Sequence, residues 1–152
     1  MKVAVASDHR GYESKTLIKG LLENLGHECI DFGTDGNRPV DYPDLAYAAG
    51  TAVADGTADR AILICGTGIG MCIAANKLKG IRAALCFDEI NARVSRQHND
   101  ANVLCLSGDL LGENSIRRIV EIWLSSDFDN GRHERRVRKI DLIEQGLDPR
   151  TM

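Results

Sequence analysis

The chain has no long apolar run: no window approaches the roughly 20 consecutive apolar residues that a membrane-spanning helix needs. Its start, MKVAVASDHRG, lacks the apolar core and small-residue cleavage site of a secretory signal. No C-x-x-C pair occurs. The cysteines are odd in number, at positions 29, 65, 72, 86 and 105, which argues against a disulfide framework or a zinc knuckle. Net charge is small, -3 over 152 residues, so nothing draws the whole chain to nucleic acid or to an anionic membrane, and any anion site must be local. A reducing cytoplasm is the expected compartment. No linker, repeat or low-complexity tract divides the chain, and residues 1–152 are expected to form one domain around one core.

What is present is alternation. Short runs rich in Val, Ile, Leu and Ala recur as KVAVAS, ECIDF at 28–32, RAILIC at 60–65, RAALCF at 82–87 and NVLCLS at 102–107. They read as strands buried on both faces, as in a parallel sheet. Between them, Ile18, Leu21, Leu22 and Leu25 follow helical spacing with Gly26 as a stop, and Ile116, Ile119, Val120 and Trp123 repeat the pattern. Residues 43–56 are alanine-rich and helix-compatible, 88–98 suit a shorter polar helix, and a basic helix is expected at about 133–146. The prediction is a Rossmann-like α/β three-layer sandwich: a five-stranded parallel sheet in the order 2-1-3-4-5, right-handed crossovers and a C-terminal helix. Ligands should then gather at the carboxyl ends of the strands.

The third strand runs into Cys65-Gly66-Thr67-Gly68-Ile69-Gly70, with a helix continuing through MCIAANKL towards Gly80. Glycines here let the backbone approach a ligand and turn its N–H groups inward, where a developing oxyanion would be stabilised. The G-K-[ST] ending of a nucleotide P-loop is absent, and the dinucleotide fingerprint is missing after the first strand, where SDHRGY stands instead. Cys65, at the mouth of this turn, is placed to act as a thiolate base on a carbon beside a carbonyl. Cys29, Cys72, Cys86 and Cys105 read as small core residues. Asp8 and His9 also follow a strand, although Asp8 could simply cap the helix beginning near Gly11. His98-Asn99-Asp100 lies before the fifth strand, where a plain polar loop is the competing reading. Arg132 and Arg136, four apart on a helix, could grip a phosphate together, whereas Arg135, Arg138 and Lys139 suit a solvated face partly paired with Glu134. The run is short and no aromatic residues interleave it, so nucleic-acid binding is not expected.

Taken together, SDHRGY, DFGTDG, VDYPD, ILICGTGIG, IAANK, GIRAAL, SRQHNDANVL and GRHERRV span nearly the whole chain. In this order they resemble ribose-5-phosphate isomerase of type B, in the wider group that includes galactose-6-phosphate isomerase. The resemblance implies an aldose–ketose isomerase working through an enediolate, with no metal and no organic cofactor. It implies Cys65 as the enolising base, Thr67 as a supporting hydroxyl, and Gly66, Thr67, Gly68, Ile69 and Gly70 as the turn that binds the enediolate oxygen. His98 would open the furanose ring, with Asn99 beside it on the substrate. Asp8 and His9 would contact sugar and phosphate, Arg132 and Arg136 the phosphate, and Tyr42 would line the site. It further implies a homodimer, or a dimer of dimers, with sites between subunits and the His98 loop supplied by the partner.

One position departs from that pattern: Asp109 stands where the family resemblance leads us to expect a phosphate-binding arginine. An aspartate would repel a phosphate unless it turns away to cap a helix beginning near Leu110, and Arg10 is a candidate to restore the lost charge. Arg10 and Asp109 are therefore further substrate-binding candidates. Three other readings compete with ribose 5-phosphate: a six-carbon sugar phosphate such as allose or galactose 6-phosphate, a non-catalytic sugar-phosphate binding module, and a thiol-redox protein. The retained Cys65, Thr67 and His98 speak against the second, and the missing resolving cysteine against the third.

Overall fold

The computed structural model describes all 152 residues, and the apolar runs of the sequence are its strands. In chain order the elements are β1 (Lys2–Ser7), α1 (Tyr12–Asn24), β2 (Glu28–Asp31), α2 (Tyr42–Ala54), β3 (Arg60–Cys65) and α3 (Ile69–Ala75). They continue with β4 (Ala83–Leu85), α4 (Glu89–Asn99), β5 (Val103–Ser107), α5 (Glu113–Ser125), α6 (Arg132–Glu144) and a short 3-10 turn at Pro149–Thr151. All strand pairs are parallel. β1, β3 and β5 are buried almost end to end, which is why they read as unbroken apolar runs rather than as alternation.

Side chains divide by strand parity between two helix layers. Val3, Val5, Ile62, Ile64, Leu104 and Leu106 face α1, α4 and α5, where Ile18, Leu22, Ile116, Ile119 and Trp123 complete one core. Ala4, Ala6, Leu63, Cys65, Val103 and Cys105 face α2 and α3. Alanines of α2 (Ala46, Ala49, Ala52) let that helix pack close to the sheet. Each fully buried Val, Leu or Ile contributes about 1.5–3 kcal/mol to the folded state.

The observed strand order is β2-β1-β3-β5-β4, not 2-1-3-4-5. The cause lies in α4. Right-handed crossovers tie the direction of each step along the sheet to the face its helix covers. α3 covers the α2 face and carries the chain outward from β3 to β4. Ala92 of α4 packs in the opposite core, so the next step turns back and inserts β5 between β3 and β4. β4 is thereby the edge strand, which accounts for its half-buried residues and its length of 3 residues against the expected run of 82–87. α3 also stops early. Asn76 donates to Cys72 O at 3.0 Å and to Ala83 O at 2.9 Å and accepts from Ala83 N at 2.9 Å, tying the helix end to β4. α6 spans 132–144 rather than 133–146. No helix is long and apolar enough to cross a membrane.

Candidate active site

The carboxyl ends of β1 and β3 open into a cleft of about 610 Å³ lined by Asp8, Arg10, Tyr42, Cys65, Gly66, Thr67, Ile69, Gly70, Ile73 and Asp109. Cys65 is the last residue of β3 and is buried at its floor. Its Sγ accepts a hydrogen bond from Gly68 N at 3.2 Å, so the turn closes back on the thiol. Gly68 has φ 77°, and a Cβ there would lie 2.5 Å from Leu85 Cδ1 and 2.9 Å from Leu106 O, so both the backbone conformation and the space demand glycine. Thr67 Oγ1 accepts from Ile69 N at 3.3 Å, which holds the side chain on the turn. The N–H groups of Thr67 and Gly70 have no partner within the chain and remain for a ligand. The Tyr42 ring lies against Gly70, where a Cβ would come within 2.6 Å of Cζ.

Asp8 holds the first loop. Its Oδ1 accepts from Arg10 N at 2.9 Å and Gly11 N at 3.1 Å, so it caps this turn and also lines the cleft. His9 Nδ1 accepts from Val40 N at 3.4 Å. Asp109 caps no helix, because α5 begins only at Glu113. Its carboxylate instead takes the Arg10 guanidinium.

The remaining predicted residues gather at the opposite end of the sheet. α4 runs antiparallel to the strands, so His98 and Asn99 end beside the amino ends of β4 and β5. Arg82, just before β4, donates to Asn99 O at 3.2 Å. Asp100, in the left-handed region at φ 46°, pairs with Arg82 at 2.9 Å and Arg96 at 2.8 Å and fixes this corner. Ala61 to Cys65 alone spans roughly 13 Å of strand at about 3.3 Å per residue, and Ala61 pairs with Val103 at the amino end. Within one chain His98, Asn99, Arg132 and Arg136 therefore do not reach the Cys65 cleft. Arg132 and Arg136 are exposed and without an ion pair, whereas Arg138 pairs with Glu134 at 2.6 Å.

A residue missed in the sequence joins this second cluster. His133 is buried, its ring stacked on His98 with centroids 4.1 Å apart and planes 5° from parallel. It stands between the two arginines, inside the G-R-H-x-x-R run. That position was the available signal. Burial first, then His98, Arg132 and Arg136, holds its pKa below the ordinary histidine value. Asp129 brings a third ligand-type group, all within 4.8 Å of one another. Arg132 Nε, however, lies 3.3 Å from His133 Nε2, and its positive charge disfavours a cation here.

All five cysteines are free thiols. Cys72, on α3, has its pKa drawn down to about 7, chiefly by a hydrogen bond from Cys105, against the opposing effect of burial. Cys105 is itself raised by burial. Neither lines the cleft.

Residues 3–140 match the Ribose/Galactose Isomerase family. The chain is 45% identical over 144 residues to ribose-5-phosphate isomerase B of Escherichia coli, covering 95% of this chain and 97% of that one. It is 38% identical over 146 residues to the D-erythrulose-4-phosphate isomerase of Pectobacterium atrosepticum, covering 95% of each. Among solved structures, ribose-5-phosphate isomerase B of Clostridium thermocellum superposes with a TM-score of 0.95 at 50% identity, covering 96% of this chain and 99% of that one. The glycine turn at Cys65 and the paired histidines thus sit in a chain that belongs to the ribose/galactose isomerase family.

Proposed function

We propose that this isomerase acts on sugar phosphates and interconverts ribose 5-phosphate and ribulose 5-phosphate through an enediolate. The observation that carries the reading is the Cys65 thiol, seated at 3.2 Å from the Gly68 amide and beside the unpartnered amides of Thr67 and Gly70. A thiolate there removes the proton from carbon 2 of the open-chain aldose. The electron pair forms the carbon 1–carbon 2 double bond, and the charge that builds on oxygen 1 is taken by the turn amides. The proton on oxygen 2 then passes to oxygen 1, carbon 2 becomes the carbonyl, and the thiol returns its proton to carbon 1. The bond from Gly68 N–H holds the sulfur against the turn. Asp8 and Tyr42 line the same cleft and suit the sugar hydroxyls.

Ribose 5-phosphate is a closed furanose for most of the time, and opening it needs proton transfer at the ring oxygen. His98 is the group for this step, with Asn99 beside it and Arg132 and Arg136 for the phosphate. These side chains lie at the far end of their own sheet, so they serve the Cys65 cleft of a second copy. The outer face of α3 supports such an arrangement: Ile69 and Ile73, on the cleft wall, are 51% and 58% exposed in the single chain.

Assay of the purified protein against aldose phosphates of four to six carbons tests the substrate, with ribose 5-phosphate expected to have the highest kcat/KM. A mixing experiment tests the shared site. Cys65→Ala and His98→Ala proteins, each inactive on ribose 5-phosphate, should on refolding together regain about a quarter of wild-type activity, because half of the dimers are hybrids with one intact site. Mixtures as inactive as their components would refute the second copy's role.

A further inference from the structure

We infer that His133 is the positioning residue for His98, a fixed ring platform that holds the His98 imidazole in the plane from which it reaches the ring oxygen of a cyclic sugar phosphate. The inference rests on the reading of His98 as the ring-opening group.

His98 sits in the last turn of α4, half-buried, on a helix end followed at once by the left-handed Asp100. None of the hydrogen bonds within the chain engages its imidazole: Asp129 lies within 4.8 Å without bonding to it, and the ring face rests on a neighbour. The packing partner is His133. The two rings overlap face to face at 4.1 Å, with a tilt of 5°. A group that must meet a proton acceptor at hydrogen-bond distance loses rate steeply when misplaced by an ångström.

His133, by contrast, is held on several sides. It is 6% exposed, in the first turn of α6, and its Nε2 faces Arg132 Nε at 3.3 Å. With Nε2 as acceptor the ring is neutral and carries its proton on Nδ1. Burial, His98, Arg132 and Arg136 all favour that neutral form, and Asp129 alone among the facing groups opposes it. The backbone joins the two helices as well: Asp129 N donates to Gln97 O at 3.0 Å, so the turn leading into α6 is fixed to the residue before His98. A neutral, immobile ring gives the His98 imidazole a surface without competing for the proton that His98 must move.

The chemistry of the two sugars separates this role from phosphate binding. Ribulose 5-phosphate cannot close to a furanose, because its oxygen 5 carries the phosphate. Exchange of its carbon 1 proton with deuterated water therefore needs Cys65 and phosphate binding but no ring opening. Conversion of ribose 5-phosphate needs all three. His133→Ala should lower kcat on ribose 5-phosphate by about ten- to hundredfold, the usual consequence of a lost orientation, with KM and the exchange rate within about threefold of wild type. His133→Phe, which keeps a flat ring but neither nitrogen, should restore kcat to within about threefold of wild type. A rise in KM with kcat unchanged, an equal loss in exchange, or a phenylalanine variant no better than alanine would each overturn the positioning role. His98→Ala run in parallel tells the two failures apart: selective loss of isomerisation there, without it in His133→Ala, overturns only the platform, whereas no selectivity in His98→Ala removes the ring-opening reading beneath it.

Discussion

Arg10 and Asp109 meet across the mouth of the cleft, with Nε and Nη2 of the guanidinium both on carboxylate Oδ2, at 2.8 and 2.6 Å. The pair ties the loop after β1 to the loop after β5, and Asp109 N also donates to Gly66 O at 3.1 Å, on the glycine turn after β3. Neither charge acts alone. Asp109 raises the Arg10 pKa by hydrogen bond and by charge, and the guanidinium in turn offsets the carboxylate.

Breaking the pair from either side should therefore have opposite effects. Asp109→Asn frees Arg10 and should lower KM for the best substrate by about three- to tenfold. Arg10→Ala leaves an unpaired carboxylate beside the substrate and should raise KM by about ten- to hundredfold, the range expected when a charged hydrogen bond worth roughly 1.5–3 kcal/mol is lost. Arg10→Ala with Asp109→Ala together should fall well short of the Arg10→Ala effect, since the two groups share one interaction. Steady-state kinetics on the four proteins decides it. An unchanged KM in Arg10→Ala would remove the pair from the site.

Much of this arrangement was legible in the sequence. RAILIC and KVAVAS mark β3 and β1 to the residue, because strands buried on both faces leave unbroken apolar runs. The Cys65 turn was readable because it follows such a strand directly. The order of β4 and β5 was not, since periodicity shows that α4 has an apolar side but not which face of the sheet that side meets. The Arg10–Asp109 contact joins residues 99 apart and depended on that order, because β5 beside β3 brings Asp109 next to the turn. The stack of His98 on His133 lay in the packing of two helices that are not neighbours in the chain.

Cys65→Ser tests the base with the least disturbance. The side chain is buried and the hydroxyl is close in size to the thiol, so the fold and the cleft should persist. A serine hydroxyl without an adjacent base is a far weaker acceptor of a carbon-bound proton than a thiolate. We expect kcat on ribose 5-phosphate to fall by about a thousandfold or more, KM to stay within about threefold, and carbon 1 exchange in ribulose 5-phosphate to stop. Retention of more than a few per cent of wild-type turnover would assign the base to another group.

A buried ammonium ties α1 to the end of β2. Lys15, on α1, is 1% exposed, and its ammonium donates to Asp31 Oδ1 at 2.5 Å and Thr34 O at 2.8 Å. Asp31 also takes Lys19, through Oδ2 at 2.5 Å. Burial would raise the Asp31 pKa, but the bonds from Lys15, Lys19 and the Gly33 amide outweigh it and hold the carboxyl below its ordinary value. Asp31→Asn leaves the Lys15 charge buried with a carbonyl and a neutral amide, and should cost about 3–5 kcal/mol in urea unfolding. Lys15→Met should cost less, because Asp31 keeps Lys19, and the double variant should be more stable than Asp31→Asn alone. The pH dependence has a definite sign. A depressed folded-state pKa adds stability that is complete above the unfolded value of about 3.9 and is lost as pH falls through the lower folded value. The gap between wild type and Asp31→Asn should thus stay constant from about pH 8 to 5 and narrow below about pH 4. A gap under about 1 kcal/mol at neutral pH, as for an exposed ion pair, would show that the buried ammonium finds other partners.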